Sequence, residues 1–271
     1  QAPAVLALLA AARSWEKGAW QREFATAAQV AALAEAASVV LADAVLTREE
    51  LTAALVAHSG EPGLAEALGS GWGAVLKPLA WQGLLCHGPP AGTRVTFTSP
   101  ARAVAGWPGL PDPDTAARTV VPAYLGAYGP ATPTVFDAWL LRGATPRARL
   151  RRWFADLVAD GTLAEVDVDG ERRHARSLDM DDLLGHDDAG HEPRSDADGL
   201  RLLGPFDPYV LGPGTTEQHL VPPEHRREVS RAAGWIAPVV LVWLIAVSLG
   251  PSTSETLREL SKGSAPPALA G

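Results

Sequence analysis

The sequence predicts a mainly helical α+β protein, with helix–helix–hairpin units in tandem and a small C-terminal β domain. Three observations carry this reading. Apolar residues recur at helical spacing through most of the N-terminal half. Twice, such helices lead into short alternating segments around a Gly- or Pro-containing turn. Beyond residue 200 the apolar runs take on strand character.

Residues 1–41 are Ala-rich and amphipathic, and read as two or three helices that are the remnant of a further N-terminal unit. Residues 42–104 hold the first complete unit. In LTREELTAALVAHSG, Thr47 and Glu50 have the spacing of a capping box, and Leu51, Leu55 and Val56 supply the buried face. A second helical pattern, LAEALGSGWGAVLKPLAWQG, is expected to break at Pro78. LLCHGPPAGTRVTFTS then reads as two short strands about the turn GPPAG. Residues 105–115 form a Pro-rich linker.

Residues 116–177 repeat the plan. One helix ends at Gly129, and Thr132 or Thr134 caps a short second helix, PTVFDAWLL. Pro146 suits the first position of a third helix, PRARLRRWFADLVADG. A hairpin follows at Asp169-Gly170, a pairing that favours the two-residue turn of twisted strands. Helix, helix and hairpin in this order are the layout of a winged helix, so two stand in tandem. Residues 178–199 are an acidic linker, and residues 200–242 an incomplete β domain. Residues 243–271 diverge from the pattern before them, and from Pro251 they are a Ser/Pro/Ala-rich tail with one weakly helical patch, TLRELSK. The apolar run from Trp235 to Leu249 contains Pro238 and is shorter than the roughly 20 residues a membrane span needs, so a buried strand pair is expected.

Charge directs attention to one place. The chain carries a net charge of −8, but Leu178–Asp198 holds eight acids and one arginine and accounts for seven of those charges. Arg142–Arg152 holds five arginines and no acid. On that helix Leu150, Trp153, Phe154, Leu157 and Val158 form the core-facing stripe. Arg147, Arg149, Arg151 and Arg152 lie off it, near the helix N-terminus, and Arg142 precedes them. The second helix of a helix-turn-helix enters the major groove while the wing touches the backbone, so Arg172, Arg173 and Arg176 extend the candidate contact with double-stranded DNA. The plainer reading is a solvated face paired with Asp156, Asp160 and Glu171, and Asp167, Asp169 and Glu171 in the wing would repel phosphate.

Other chemistry has little support. The spacing of His186 and His191, and of His219 and His225, supplies no metal-ligand set, and no phosphate-binding glycine loop occurs. Cys86 and His87 are adjacent, hence on opposite faces of a strand, and Cys86 is expected in the core. Trp15, Trp20, Trp72, Trp81, Trp139 and Trp153 are expected to pack in cores. No cofactor, metal or membrane contact is expected, and the protein reads as a monomer. A single cysteine and the lack of an export signal fit the cytoplasm. Three lysines against twenty arginines suit a GC-rich bacterial gene.

The ordered set SWEKGAWQREF, LTREEL, GWGAVLKPLAWQGLLCHGP, AYLGAYGPATPTVFDAWL and FDPYVLG resembles the AlkZ-like tandem winged-helix proteins, from residue 1 to about Val242. The resemblance implies three winged helices and a C-terminal β domain around a DNA channel, and a DNA glycosylase that excises alkylated bases and unhooks interstrand cross-links. The family's catalytic motif is Gln-aliphatic-Gln or Gln-aliphatic-Asp. None of Gln1, Gln21, Gln29, Gln82 and Gln218 stands in such a triplet, so no catalytic residue is carried over, and the motif is expected upstream of residue 1. The resemblance stops at Trp243, where a truncated or frameshifted reading would explain the tail, with natural divergence as the rival. A transcriptional regulator or a protein-interaction scaffold is the alternative use of the same fold.

Overall fold

Local signals explain most element boundaries in the computed structural model, which describes residues 1–184, 200–242 and 245–248. The backbone gathers into two compact units. One is Gln1–Ala123 with Leu140–Leu157, and the other is Tyr124–Trp139 with the described part of Val158–Gly271.

Three helices occupy the first forty residues: α1 (Ala2–Ala12), α2 (Gly18–Glu23) and α3 (Ala27–Val40). The start of α3 is set by a capping box, in which Thr26 Oγ1 accepts from the Gln29 N–H and Gln29 Oε1 accepts from the Thr26 N–H. Strand β1 (Leu46–Thr47) leads into α4 (Arg48–Ser59), where Thr47 and Glu50 make the expected reciprocal bonds. The next helical pattern does break, but not at Pro78. It divides into α5 (Ala65–Gly69) and α6 (Leu76–Trp81), and the interruption falls on the glycine-containing stretch between them. Pro78 is buried in the first turn of α6, where helix N–H groups lack intrahelical acceptors anyway and a missing donor does no harm. Trp72 sits in this interruption and is 87% exposed, so it is no core residue, unlike the buried Trp15 and Trp153.

Strands β2 (Cys86–His87) and β3 (Thr96–Thr98) pair as expected, and β1 completes an antiparallel sheet of order β1-β3-β2. Half-burial of Cys86 pushes its thiol up, away from the reactive thiolate form. Beneath the sheet and helices lies a core containing Trp15, Leu33, Leu51, Leu55, Leu68, Leu79 and Phe97. Each of these large side chains contributes on the order of 1.5–3 kcal/mol by leaving water.

A short helix α7 (Pro100–Ala103) follows Ser99. Helix α8 (Pro113–Tyr128) begins inside the segment expected as linker, because the Asp112 carboxylate accepts from the N–H groups of Asp114 and Thr115. Thr132 caps α9 (Pro133–Leu141) through the Val135 N–H. Helix α10 (Arg147–Ala159) starts one residue past Pro146, whose carbonyl accepts from the Leu150 N–H.

In the second unit, β4 (Leu163–Val168) and β5 (Glu171–Arg176) form a hairpin in register from Leu163↔Arg176 to Val168↔Glu171. Asp169 and Gly170 both have positive φ, 53° and 82°, as the tight turn requires. After α11 (Met180–Leu184) and β6 (Leu200–Leu203) come the short helices α12 (Pro208–Leu211) and α13 (Arg226–Val229). Strands β7 (Val239–Val242) and β8 (Ile245–Ser248) then pair antiparallel, giving the order β6-β7-β8 and bearing out the expected strand pair in the apolar run. Val210, Leu220, Val221, Val229, Ile236, Val239 and Leu241 form one buried cluster of this unit. Among the described residues no helix is long and apolar enough to cross a membrane.

Candidate nucleic-acid interface

Helix α10 is polarised by its sequence. Leu150, Trp153, Phe154 and Leu157 are buried at helical spacing, while Arg147, Arg149, Arg151 and Arg152 are exposed. Arg147 and Arg151 are one turn apart, and among the described residues neither has a carboxylate within ion-pairing distance. Like charges at this spacing repel, and cations near a helix N-terminus oppose its dipole. No acid in the first turn relieves them. This end of α10 is therefore poorly arranged for stability alone and well arranged to meet an anion.

Arg149 and Arg152 have a common partner that periodicity does not disclose. The Asp114 carboxylate, in the first turn of α8, pairs with Arg152 and lies 3.8 Å from Arg149 Nε. Its Oδ1 also accepts from the buried Trp153 indole N–H at 2.8 Å. That hydrogen bond first, and the two arginines second, hold the Asp114 carboxyl below its usual range. Their partner is thus Asp114 and not Asp156; of the acids named for a solvated face, Glu171 does pair, with Arg173. Arg142 occupies the turn before α10 at φ 54, exposed, and its carbonyl lies 3.5 Å from Lys17 Nζ. Lys17 adds a cation that no local pattern marked, since the two residues are 125 positions apart.

The three arginines of β5 belong to the second unit and differ in their surroundings. Arg172 points to solvent, 3.8 Å from Glu165. Arg173 turns inward, where its guanidinium meets Glu217 at 3.0 Å, Glu171 at 2.8 Å and the Pro130 carbonyl. Burial pulls the Arg173 group down, but the two carboxylates outweigh it and raise it. For Glu217, burial pushes the carboxyl up, and Arg173 and the His219 N–H more than reverse this. Arg176 forms a two-pronged pair with Asp179, both contacts at 2.6 Å. The neighbouring His174 is pulled below its ordinary value by burial, against the opposing pull of Glu165. Beside Arg173 is a cavity of about 270 Å³ walled by Tyr128, Pro130, Val135, Tyr209 and Leu220, with Glu217 and His219 at its polar end.

Three of the internal glutamines are structural. Gln21 binds the Glu16 carbonyl and the Ala27 N–H, Gln29 completes the α3 cap, and Gln82 donates to the Pro78 carbonyl. Among the described residues no group of three or more His, Cys, Asp or Glu side chains could hold a metal ion, and His186 and His191 fall outside them.

A family model described as "DNA glycosylase AlkZ-like" matches residues 1–243, and the chain belongs to this AlkZ-like DNA glycosylase family. Among its relatives, the interstrand DNA cross-link repair glycosylase of Streptomyces sahachiroi is 47% identical over 238 residues, covering 87% of this chain and 62% of the relative. A solved structure of Streptomyces sahachiroi DNA glycosylase AlkZ superposes with a TM-score of 0.78 at 45% identity, covering 90% of this chain and 65% of that one. The chain therefore spans under two thirds of the length of the relatives it matches.

Proposed function

We propose that this chain is the DNA-holding body of a repair glycosylase, with residues 42–104 and 116–177 acting as winged helices. The observation that carries the proposal is the exposed arginine series at the start of α10, two of whose members, Arg147 and Arg151, lack carboxylate partners among the described residues. Arg147 and Arg151 lead the phosphate contact, Arg142 and Lys17 extend it, and Arg149 and Arg152 join once they exchange Asp114 for phosphate. Arg172 is the exposed member of the hairpin set. Arg173 and Arg176 act through position, fixing the hairpin through Glu217 and Asp179. Family membership, and a 47% identical relative named for interstrand cross-link repair, support DNA as the partner and an interstrand cross-link as the target. No catalytic residue is assigned, because none of the five glutamines stands in the family's Gln-aliphatic-Gln or Gln-aliphatic-Asp triplet. The test is a gel shift on plain duplex DNA at low salt with a base-release assay on an alkylated duplex. Retarded duplex is the expected result, and absence of any binding at low salt refutes the proposal.

A further inference from the structure

Phe206 adopts φ 59, a left-handed conformation that disfavours a bulky side chain. The segment after it is tied down: the Asp207 carboxylate accepts from the Tyr209 N–H at 2.9 Å, and the Asp207 carbonyl accepts from Val210 and Leu211 as α12 begins. Phe206 is 43% exposed, while Val210 nearby in the chain is buried. Trp235 meets it edge-to-face, with ring centroids 4.9 Å apart and planes at 78°. Trp235 is held in turn. The Arg231 N–H donates to its carbonyl at 2.8 Å, Gly234 makes the turn at φ 75, and Ile236 and Ala237 immediately after it are buried. Trp235 itself is 49% exposed. Two large rings thus stand half in water on a backbone that orients both. Trp72, by contrast, is exposed on a Gly-Trp-Gly loop and has no ring partner among the described residues.

The surroundings indicate what would cover these rings. Arg226, Arg227 and Arg231 are exposed in the same segment. Its two acids are Glu224 and Glu228, and Glu228 lies 4.0 Å from His225 Nδ1. The Arg231 Nε donates to the Glu228 carbonyl, which fixes that guanidinium near the turn that carries Trp235. A pair of held rings with Arg231 beside them suits a flat, apolar group attached to a polyanion. We propose that Phe206 and Trp235 form a stacking platform for an unpaired nucleobase of DNA. The inference rests on the DNA-binding reading above and adds to it a base that has left the duplex stack. Such a base has a free face, whereas a fully paired duplex has none to offer.

The test uses the full chain and two labelled duplexes of equal length, one fully paired and one with a single unpaired adenine, compared by fluorescence anisotropy. Stacking of one base on an aromatic side chain corresponds to a preference of about fivefold or more for the unpaired site. Trp235→Ala and Phe206→Ala are expected to remove that preference while leaving affinity for the paired duplex within about twofold, and Trp235→Phe to keep most of it. Circular dichroism melting of each variant reports whether the fold survives, and Trp235→Phe carries the comparison if an alanine variant unfolds. Equal binding of both duplexes by the wild type overturns the inference and leaves the DNA-binding reading standing. So does a preference that survives Trp235→Ala. Binding of neither duplex overturns both.

Discussion

Replacing Asp114 by alanine separates two things its carboxylate does at once. It accepts from the indole N–H of Trp153, a residue only 4% exposed, and it neutralises Arg152 and Arg149 at the start of α10. Leaving a buried donor without an acceptor costs about 1–3 kcal/mol. The ion pairs, whose side chains are 43–53% exposed, add less than about 1 kcal/mol after solvent screening. A position in the first turn of α8 adds a few tenths, roughly, through the helix dipole. Asp114→Ala is therefore expected to lose about 2–3 kcal/mol in urea denaturation. Asp114→Asn retains an acceptor for Trp153 and is expected to lose under about 1 kcal/mol. The carboxyl is held below its usual range in the fold. Its contribution is thus present above the ordinary value near 3.8 and lost as pH falls through the lowered one. DNA affinity moves the other way: both variants add one positive charge and free Arg152 for phosphate. The plot of log affinity against log salt is expected to steepen by about 0.9 for each phosphate newly neutralised. An Asp114→Ala variant as stable as the wild type, or one that binds DNA no better with an unchanged slope, refutes the reasoning.

Glu217→Ala leaves the guanidinium of Arg173, 11% exposed, with Glu171 as its remaining carboxylate, and is expected to lower stability by about 1–3 kcal/mol in chemical denaturation. Because the Glu217 carboxyl is lowered in the fold, the gap between wild type and Glu217→Gln is full above its ordinary value of 4.5 and closes as pH falls, which a denaturation series in acid measures. Gly212→Ala drives a methyl group into the Tyr128 ring, whose neighbour Tyr124 is already bonded to the Gly212 carbonyl. Overpacking of this kind is expected to cost about 1–3 kcal/mol, read as a drop in melting temperature.

Features set by neighbours in sequence were legible and features set across the chain were not. The Thr47–Glu50 box and the Asp169-Gly170 turn each close within a few residues, so residue type and spacing suffice. The same holds for the apolar stripe of α10, which follows from the helix period. Pro78 misled because its effect depends on where the helix begins, and α6 begins late enough to place it in the first turn. Trp72 misled because an aromatic beside helical apolar positions looks like core until the glycines on either side of it form a loop. The ion pairs were beyond reach of any local pattern. Asp114 meets Arg152 across 38 positions and Glu217 meets Arg173 across 44, and these pairings decide which arginines of the candidate site are available to a ligand.

The salt dependence of duplex DNA binding by the wild type and by Arg147→Ala/Arg151→Ala tests the central claim most directly. Removing two phosphate-neutralising arginines should reduce the slope of log affinity against log salt by about 1.8, and weaken binding to paired duplexes of unrelated sequence alike. A double variant with the wild-type slope and affinity would contradict the assignment of α10 as the element that holds DNA.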